Sequence, residues 1–130
     1  MEWTPEYISW SIDGHEVRHV PADDSSVQNM AKESSLRMNF WTPTFESWGK
    51  GFDAAEMPWY VLYDYVETFT YNSKTNGFDF HWRDDFNTFD SNRWHKSDNT
   101  TFDANSTTFR ASQSYVSDGH LVLKMEPEAT

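Results

Sequence analysis

The 130-residue chain has no cysteine, which removes disulfide frameworks and thiolate metal sites from consideration. It has no apolar run near the roughly 20 residues that a membrane-spanning helix needs. Basic residues are scarce: ten Lys and Arg stand against 21 Asp and Glu, a formal net charge of −11. Nucleic acids and anionic membranes are held by basic footprints, so neither is expected as a partner. The acidity reads as a means of solubility. The residues after Met1 lack the basic stretch and apolar core of a secretory signal, so a secreted parent would carry its signal outside this chain. The histidines (His15, His19, His81, His95 and His120) show no H-x-x-x-H spacing and read as solvated loop positions. No run of ten or more residues keeps a 3.6-residue apolar period.

Aromatic residues are what the chain has in quantity: seven Trp, six Tyr and ten Phe, 18% of the whole against a hydrophobic total of 37%. Rings of this kind bury well in sheets and stack on flat ligands. The pattern is one of short strands. Ile8, Trp10 and Ile12 alternate with Ser9 and Ser11 and share a face, and Asp13-Gly14 then supplies a type I′ turn into Val17 to Val20. Residues 21–35 read as an exposed connection. Leu36, Met38 and Phe40 alternate with Arg37, Asn39 and Trp41 as another strand. Residues 42–58 read as a long loop anchored by Phe45 and Trp48, and Tyr60 to Tyr71 as the longest strand, with Asp64 in its middle. The polar stretch 72–77 is the best linker. Phe78, Phe80 and Trp82 alternate beyond it, and further strands are expected at Thr107–Ala111 and His120–Met125 beside the Asp118-Gly119 turn. One domain, 1–130, is expected, all-β and packed as a sandwich.

Four segments carry a family resemblance. Glu2-Trp3-Thr4-Pro5-Glu6-Tyr7-Ile8-Ser9-Trp10-Ser11-Ile12-Asp13-Gly14 resembles the E-W-T-P-x-Y-I-x-W-x-[IV]-D-G hairpin of glycoside hydrolase family 16, which includes the lichenases, endo-acting β-1,3-1,4-glucanases. Leu36 to Trp41 is similar to that family's L-R-[FM]-N-[LF]-W strand, and Pro58 through Tyr71 to its final strand. Trp82 to Trp94 looks like its opening segment, W-x-D-x-F-[DN]-x-F-[DN]-x-x-x-W. The opening segment follows the final strand here, so the order resembles the circularly permuted lichenases, with 1–71 as the family's C-terminal strands, 72–77 as the junction and 78–130 as its N-terminal strands. Termini that lie close together in a jelly roll make such joining possible.

The resemblance implies a jelly-roll sandwich of concanavalin A-like type, incomplete in this chain, and secretion of the parent protein. It implies a β-glucan cleft bordered by Trp3, Trp10, Asn39 and Trp41, with Trp82 as a further contact. It also implies a structural Ca²⁺ on Asp64 with backbone carbonyls, and no organic cofactor. Asn39 and Trp41 share a face with Arg37, which favours exposure, whereas Trp48, Trp59 and Trp94 are assigned to packing.

The family's acid motif, E-x-D-x-E or E-x-D-x-x-E, does not occur in these 130 residues. A retaining glycosidase needs two carboxyl groups about 5–5.5 Å apart. Strand residues two apart share a face at roughly 6.6 Å. Asp23-Asp24 and Asp84-Asp85 are adjacent and would point to opposite faces, and Glu126 and Glu128 flank Pro127. No catalytic residue is therefore assigned. The expectations are a part of a β-glucanase that pairs with a complementary half-domain chain, a non-catalytic carbohydrate-binding module, or a fragment that self-associates as a homo-oligomer through open strand edges.

Overall fold

A computed structural model describes residues 1–30, 32–49 and 52–129. Ala31, Lys50 and Gly51, in the connections expected at 21–35 and 42–58, and Thr130 lie outside the described residues. The chain is all-β, in antiparallel sheets of the kind that make a β-sandwich. Among the described residues the helices are single turns, none long and apolar enough to cross a membrane. Two compact units interleave in sequence: Met1–Leu36 with Phe69–His81, and Arg37–Thr68 with Trp82–Thr130.

The first unit is built on a sheet of β1 (Glu2–Trp3), β2 (Tyr7–Ile12) and β3 (His15–Pro21). Asp13 (φ 51°) and Gly14 (φ 79°) make the left-handed turn that their dipeptide calls for. Trp3 lies opposite Ile8, and Ile8 opposite Val20, so these side chains fall on one face. Helix α1 (Ser25–Gln28), capped by Asp24 accepting from the Ser26 N–H at 2.8 Å, adds Val27 to the cluster. Trp3, Trp10 and Met30 pack around Ile8, Val20 and Val27. Ile12 was expected to share the burial of Ile8, but it is 64% exposed. The register slips after Trp10, leaving Val17 as a bulge residue, and Ile12 lies at the hairpin tip beyond the core.

The expected strand from Tyr60 to Tyr71 is two strands. β4 (Trp59–Tyr63) pairs with one sheet and β5 (Val66–Asn72) with β6 (Gly77–Asp84), and the chain changes sheets at Asp64. A carboxylate in an otherwise aromatic strand is solvated there by the break. Residues 72–77 form the turn of the β5–β6 hairpin. Asn72 Oδ1 accepts from the Lys74 N–H at 3.0 Å, and Asn76 takes φ 53°. The first unit holds the tip half of this hairpin.

In the second unit β4 pairs with β8 (His120–Met125), which pairs with β7 (Ser114–Ser117) across the Asp118-Gly119 turn. Strand β7 replaces the one expected at Thr107–Ala111, where Phe109 forms only an isolated bridge to Thr100. A two-residue turn pairs the residues that flank it, and those are 114–117. The expected strand at Leu36–Trp41 is not laddered to any neighbour among the described residues. Its period shows only in the middle: Met38 and Phe40 pack toward Phe86, Leu121 and Leu123 and Arg37 and Asn39 are exposed, but Leu36 is exposed and Trp41 is half-buried. Trp48, assigned to packing from sequence, is 76% exposed in the single turn α2 (Glu46–Gly49), touched edge-on by Phe45. Trp59 and Trp94 are half-buried, and Trp94 joins the core around Phe86.

Phe86 is 1% exposed at φ 51°, a conformation that costs a bulky residue about 1–3 kcal/mol. Asp84 holds it there, one carboxylate oxygen accepting from the Phe86 N–H at 2.9 Å and the other from Trp94 Nε1 at 2.7 Å. Arg93 lies 3.4 Å from the same oxygen. Burial pushes the Asp84 carboxyl up, but the Trp94 and Phe86 hydrogen bonds and the Arg93 charge outweigh it and hold it below the ordinary aspartate value. A lowered folded-state value gives stability that is complete above the ordinary carboxylate range and is lost as pH falls through the folded value. Asp84→Ala should cost about 1–3 kcal/mol in urea denaturation at neutral pH, because the buried Phe86 N–H and the half-buried Trp94 indole N–H lose their partner. The gap between variant and parent should shrink as pH drops below the carboxylate range. A gap that does not change with pH would contradict this role for Asp84.

Candidate functional site

The first unit contains a cleft of about 590 Å³ lined by Trp3, Thr4, Pro5, Glu33, Ser34, Phe69, Thr70, Tyr71 and His81. Its shape starts from Thr4. The Thr4 side chain is buried, and its Oγ1 accepts from the Glu6 and Tyr7 N–H groups, each at 3.1 Å. The Thr4 N–H donates to the Tyr7 carbonyl at 2.9 Å. This turn returns β1 onto β2, so that Trp3 packs beside Ile8 and still borders the cleft with Pro5. Residues of β5 and β6 furnish the other aromatic edge. The Tyr71 ring meets Phe78 at 5.7 Å, and its hydroxyl donates to Asn76 Oδ1 at 3.0 Å. Rings with short polar groups beside them suit a neutral, ring-shaped polar ligand.

On the sheet face opposite Trp3 lies a polar row. The Ser9 hydroxyl donates to Glu16 Oε2 at 2.6 Å, and His19 Nδ1 lies 3.2 Å from the same oxygen. Tyr7 stacks on His19 at 5.1 Å and donates its hydroxyl to Glu2 at 2.9 Å. The Ser9 hydrogen bond, helped by His19, holds the Glu16 carboxyl below its ordinary value. A carboxylate kept ionised in this way is a poor proton donor. The Glu2 hydrogen bond pushes the Tyr7 phenol up.

The remaining candidates fall elsewhere. Trp10 packs in the first unit's apolar cluster, with the Arg18 guanidinium 5.2 Å from its ring centre. In the second unit Asn39 is exposed, and Trp41 is half-buried edge-on to Phe102 at 4.9 Å. Trp82 meets Trp94 edge-on at 5.9 Å and lies under the Arg93 guanidinium at 4.2 Å. The Asp64 side chain is 79% exposed, with His120 Nε2 at 4.0 Å. Among the described residues no three His, Cys, Asp or Glu converge as a metal cluster. Sequence reasoning missed Phe69, Tyr71 and His81. Histidines 15, 19, 81 and 120 stand on strands rather than loops, and His81 borders the cleft. The signal for His81 was its alternation with Phe80 and Trp82 after the turn.

The fold and the cleft together define an all-β chain with an aromatic-lined cleft. No protein-family model matches the sequence. A protein named β-glucanase from Fibrobacter succinogenes is 35% identical over 129 residues, 96% of this chain and 36% of that protein. The chain thus spans about a third of the length of the relative it matches, and the likeness supports a glucanase family. Thr4→Val should cost about 1–3 kcal/mol, because two N–H groups lose their acceptor while the side-chain volume is kept. The near-ultraviolet circular dichroism of the indoles should change as the Trp3 ring loosens. An unchanged spectrum and unchanged stability would show that the turn does not hold the cleft.

Proposed function

We propose that this chain is a substrate-recognising part of a retaining endo-β-1,3-1,4-glucanase, with the jelly-roll fold and permuted strand order of the family 16 lichenases, and that it supplies cleft residues but not the acids that cut. The observation that carries the reading is the cleft itself, with Trp3 and Pro5 of the hairpin motif on one side and Tyr71 and Phe69 on the other. Its support is the 35% identity to a protein named β-glucanase. In this reading Trp3 and Tyr71 take the C–H faces of glucose rings, and Thr4, Thr70, His81 and Glu33 take the hydroxyls at their edges. Trp10, Asn39, Trp41 and Trp82 stand as further substrate contacts by resemblance.

The retaining reaction splits a glycosidic bond in two steps. One carboxylate attacks the anomeric carbon while a carboxylic acid protonates the departing oxygen, and water then releases the sugar. Two of this chain's carboxylates already have fixed duties: Asp84 accepts from Trp94 and Phe86, and Glu16 from Ser9. The acid pair would come from a complementary polypeptide docking at the open strand edges. Without it the same cleft would act as a carbohydrate-binding module, and the chain could pair with a second copy. The substrate is an extracellular polysaccharide, which accords with secretion of the parent.

The test uses the isolated chain and a soluble β-1,3-1,4-glucan oligosaccharide. Binding should be measurable and weakened roughly two- to tenfold by Trp3→Ala, the value of one stacked ring. No reducing sugar should appear above a heat-killed control. Hydrolysis abolished by replacing a carboxylate of this chain would overturn the assignment, as would affinity indifferent to Trp3. Trp41→Ala should lower affinity with little effect on melting. A loss of about 3–5 kcal/mol in stability at unchanged affinity would instead make Trp41 a core residue.

By the resemblance, Asp64 would supply one carboxylate to a structural Ca²⁺, with backbone carbonyls and water completing an oxygen shell. When bound, the ion would tie the sheet change at Asp64 in place and take no part in bond cleavage. Millimolar Ca²⁺ should therefore raise the melting temperature of the parent and leave that of Asp64→Ala unmoved. Equal responses would remove Asp64 from the site.

A further inference from the structure

Two Asn-x-Ser/Thr triplets lie close together in the second unit, Asn99-Thr100-Thr101 and Asn105-Ser106-Thr107, neither with proline in the middle. The pattern marks an acceptor for an N-linked glycan, but only where the amide nitrogen stands free at the surface. The fold separates the two. Asn99 is exposed, at φ 52°, and Arg110 Nη1 donates to its side chain at 2.5 Å. A guanidinium carries donors alone, so the atom that faces it is Oδ1, and Nδ2 lies on the far side of the amide. Asn105 is held the other way round: its Oδ1 accepts from the Thr107 N–H at 2.8 Å, and its Nδ2 is buried. The backbone there is fixed as well. Asn105 bridges to Pro43, and the Ser106 N–H and hydroxyl both donate to the Thr42 carbonyl at 2.9 Å. A glycan on Asn105 would have to break these contacts, whereas one on Asn99 meets solvent.

We infer that Asn99 is an N-glycan acceptor and that Asn105, with the same triplet, is not. In the transfer, Asn99 Nδ2 attacks the anomeric carbon of a lipid-linked oligosaccharyl diphosphate. The C–N bond forms as the C–O bond to the diphosphate breaks, the lipid diphosphate leaves, and the amide gives up one proton. The Thr101 hydroxyl, which completes the triplet, donates to the Thr107 carbonyl at 2.9 Å in the folded chain. The glycan therefore goes on before that bond closes, and the finished fold has room for it at Asn99. The inference rests on the proposed secretion of the parent and is independent of the glucan cleft.

The full chain is sent through the secretory pathway of a eukaryotic host behind a leader, which supplies the passage, so the outcome reports on the site alone. An amidase then removes N-glycans in heavy-oxygen water, which leaves a labelled aspartate at each occupied position, and the peptides are weighed. The secreted protein should lose the mass of one glycan, with the label at position 99. Asn99→Gln should carry no glycan, and Thr101→Ser, which keeps the hydroxyl, should retain it. Asn105→Gln should leave the glycan in place. An unlabelled Asn99 overturns the inference, as does a labelled Asn105 in secreted chain that melts cooperatively. Chains retained inside the host are mapped in the same way, and an unlabelled Asn99 in them overturns it equally.

Discussion

The first unit depends on one small apolar contact. Ile8, 2% exposed, lies between Trp3 on one neighbouring strand and Val20 on the other, with Val27 of the helical turn closing the cluster. Few side chains are buried here, so the large ring of Trp3 serves twice, covering Ile8 and bordering the cleft. Burying side chains of this size stabilises by about 1.5–3 kcal/mol each. A cluster this small cannot hold a long aromatic surface rigid by itself. The Thr4 turn supplies the rest, because its buried oxygen fixes the chain direction on which the Trp3 ring depends.

The second unit solves a similar problem with a charge. Asp84 gathers the Phe86 N–H, the Trp94 indole and the Arg93 guanidinium, and so holds a buried ring in a backbone conformation it would otherwise leave. Acidic side chains elsewhere do lesser versions of the same work. Asp24, Asp53, Asp90 and Asp98 each accept a backbone N–H at a turn or helix start. The abundance of carboxylates in this chain is therefore in part turn chemistry. This is consistent with an acidic sequence that lacks an acid pair at strand spacing.

What the sequence made legible were the features set by local chemistry. The Asp13-Gly14 and Asp118-Gly119 turns, the alternation around Ile8, and the burial of Met38 and Phe40 between exposed Arg37 and Asn39 follow from period and from positive φ. Whether an alternating segment becomes a strand depends on a neighbour, which no local pattern encodes, and so residues 36–41 and 107–111 were misjudged. The exposure of Trp48 was hidden for a similar reason, since ring size says nothing about what lies beside it. Trp3 was singled out in the sequence through its motif, and it borders the cleft. Tyr71, Phe69 and His81 were not, because they meet Trp3 only through a turn some seventy residues along the chain.

The central claim is that the cleft of the first unit is the place where this chain meets a glucan. The most direct measurement is an amide and indole chemical-shift titration of the isotope-labelled chain with a β-1,3-1,4-glucan oligosaccharide. The account predicts saturable shifts centred on the Trp3 indole N–H and the backbone of Tyr71, Thr70 and His81. Shifts confined to the surroundings of Trp41 and Trp82, or no saturable shift at all, would contradict it.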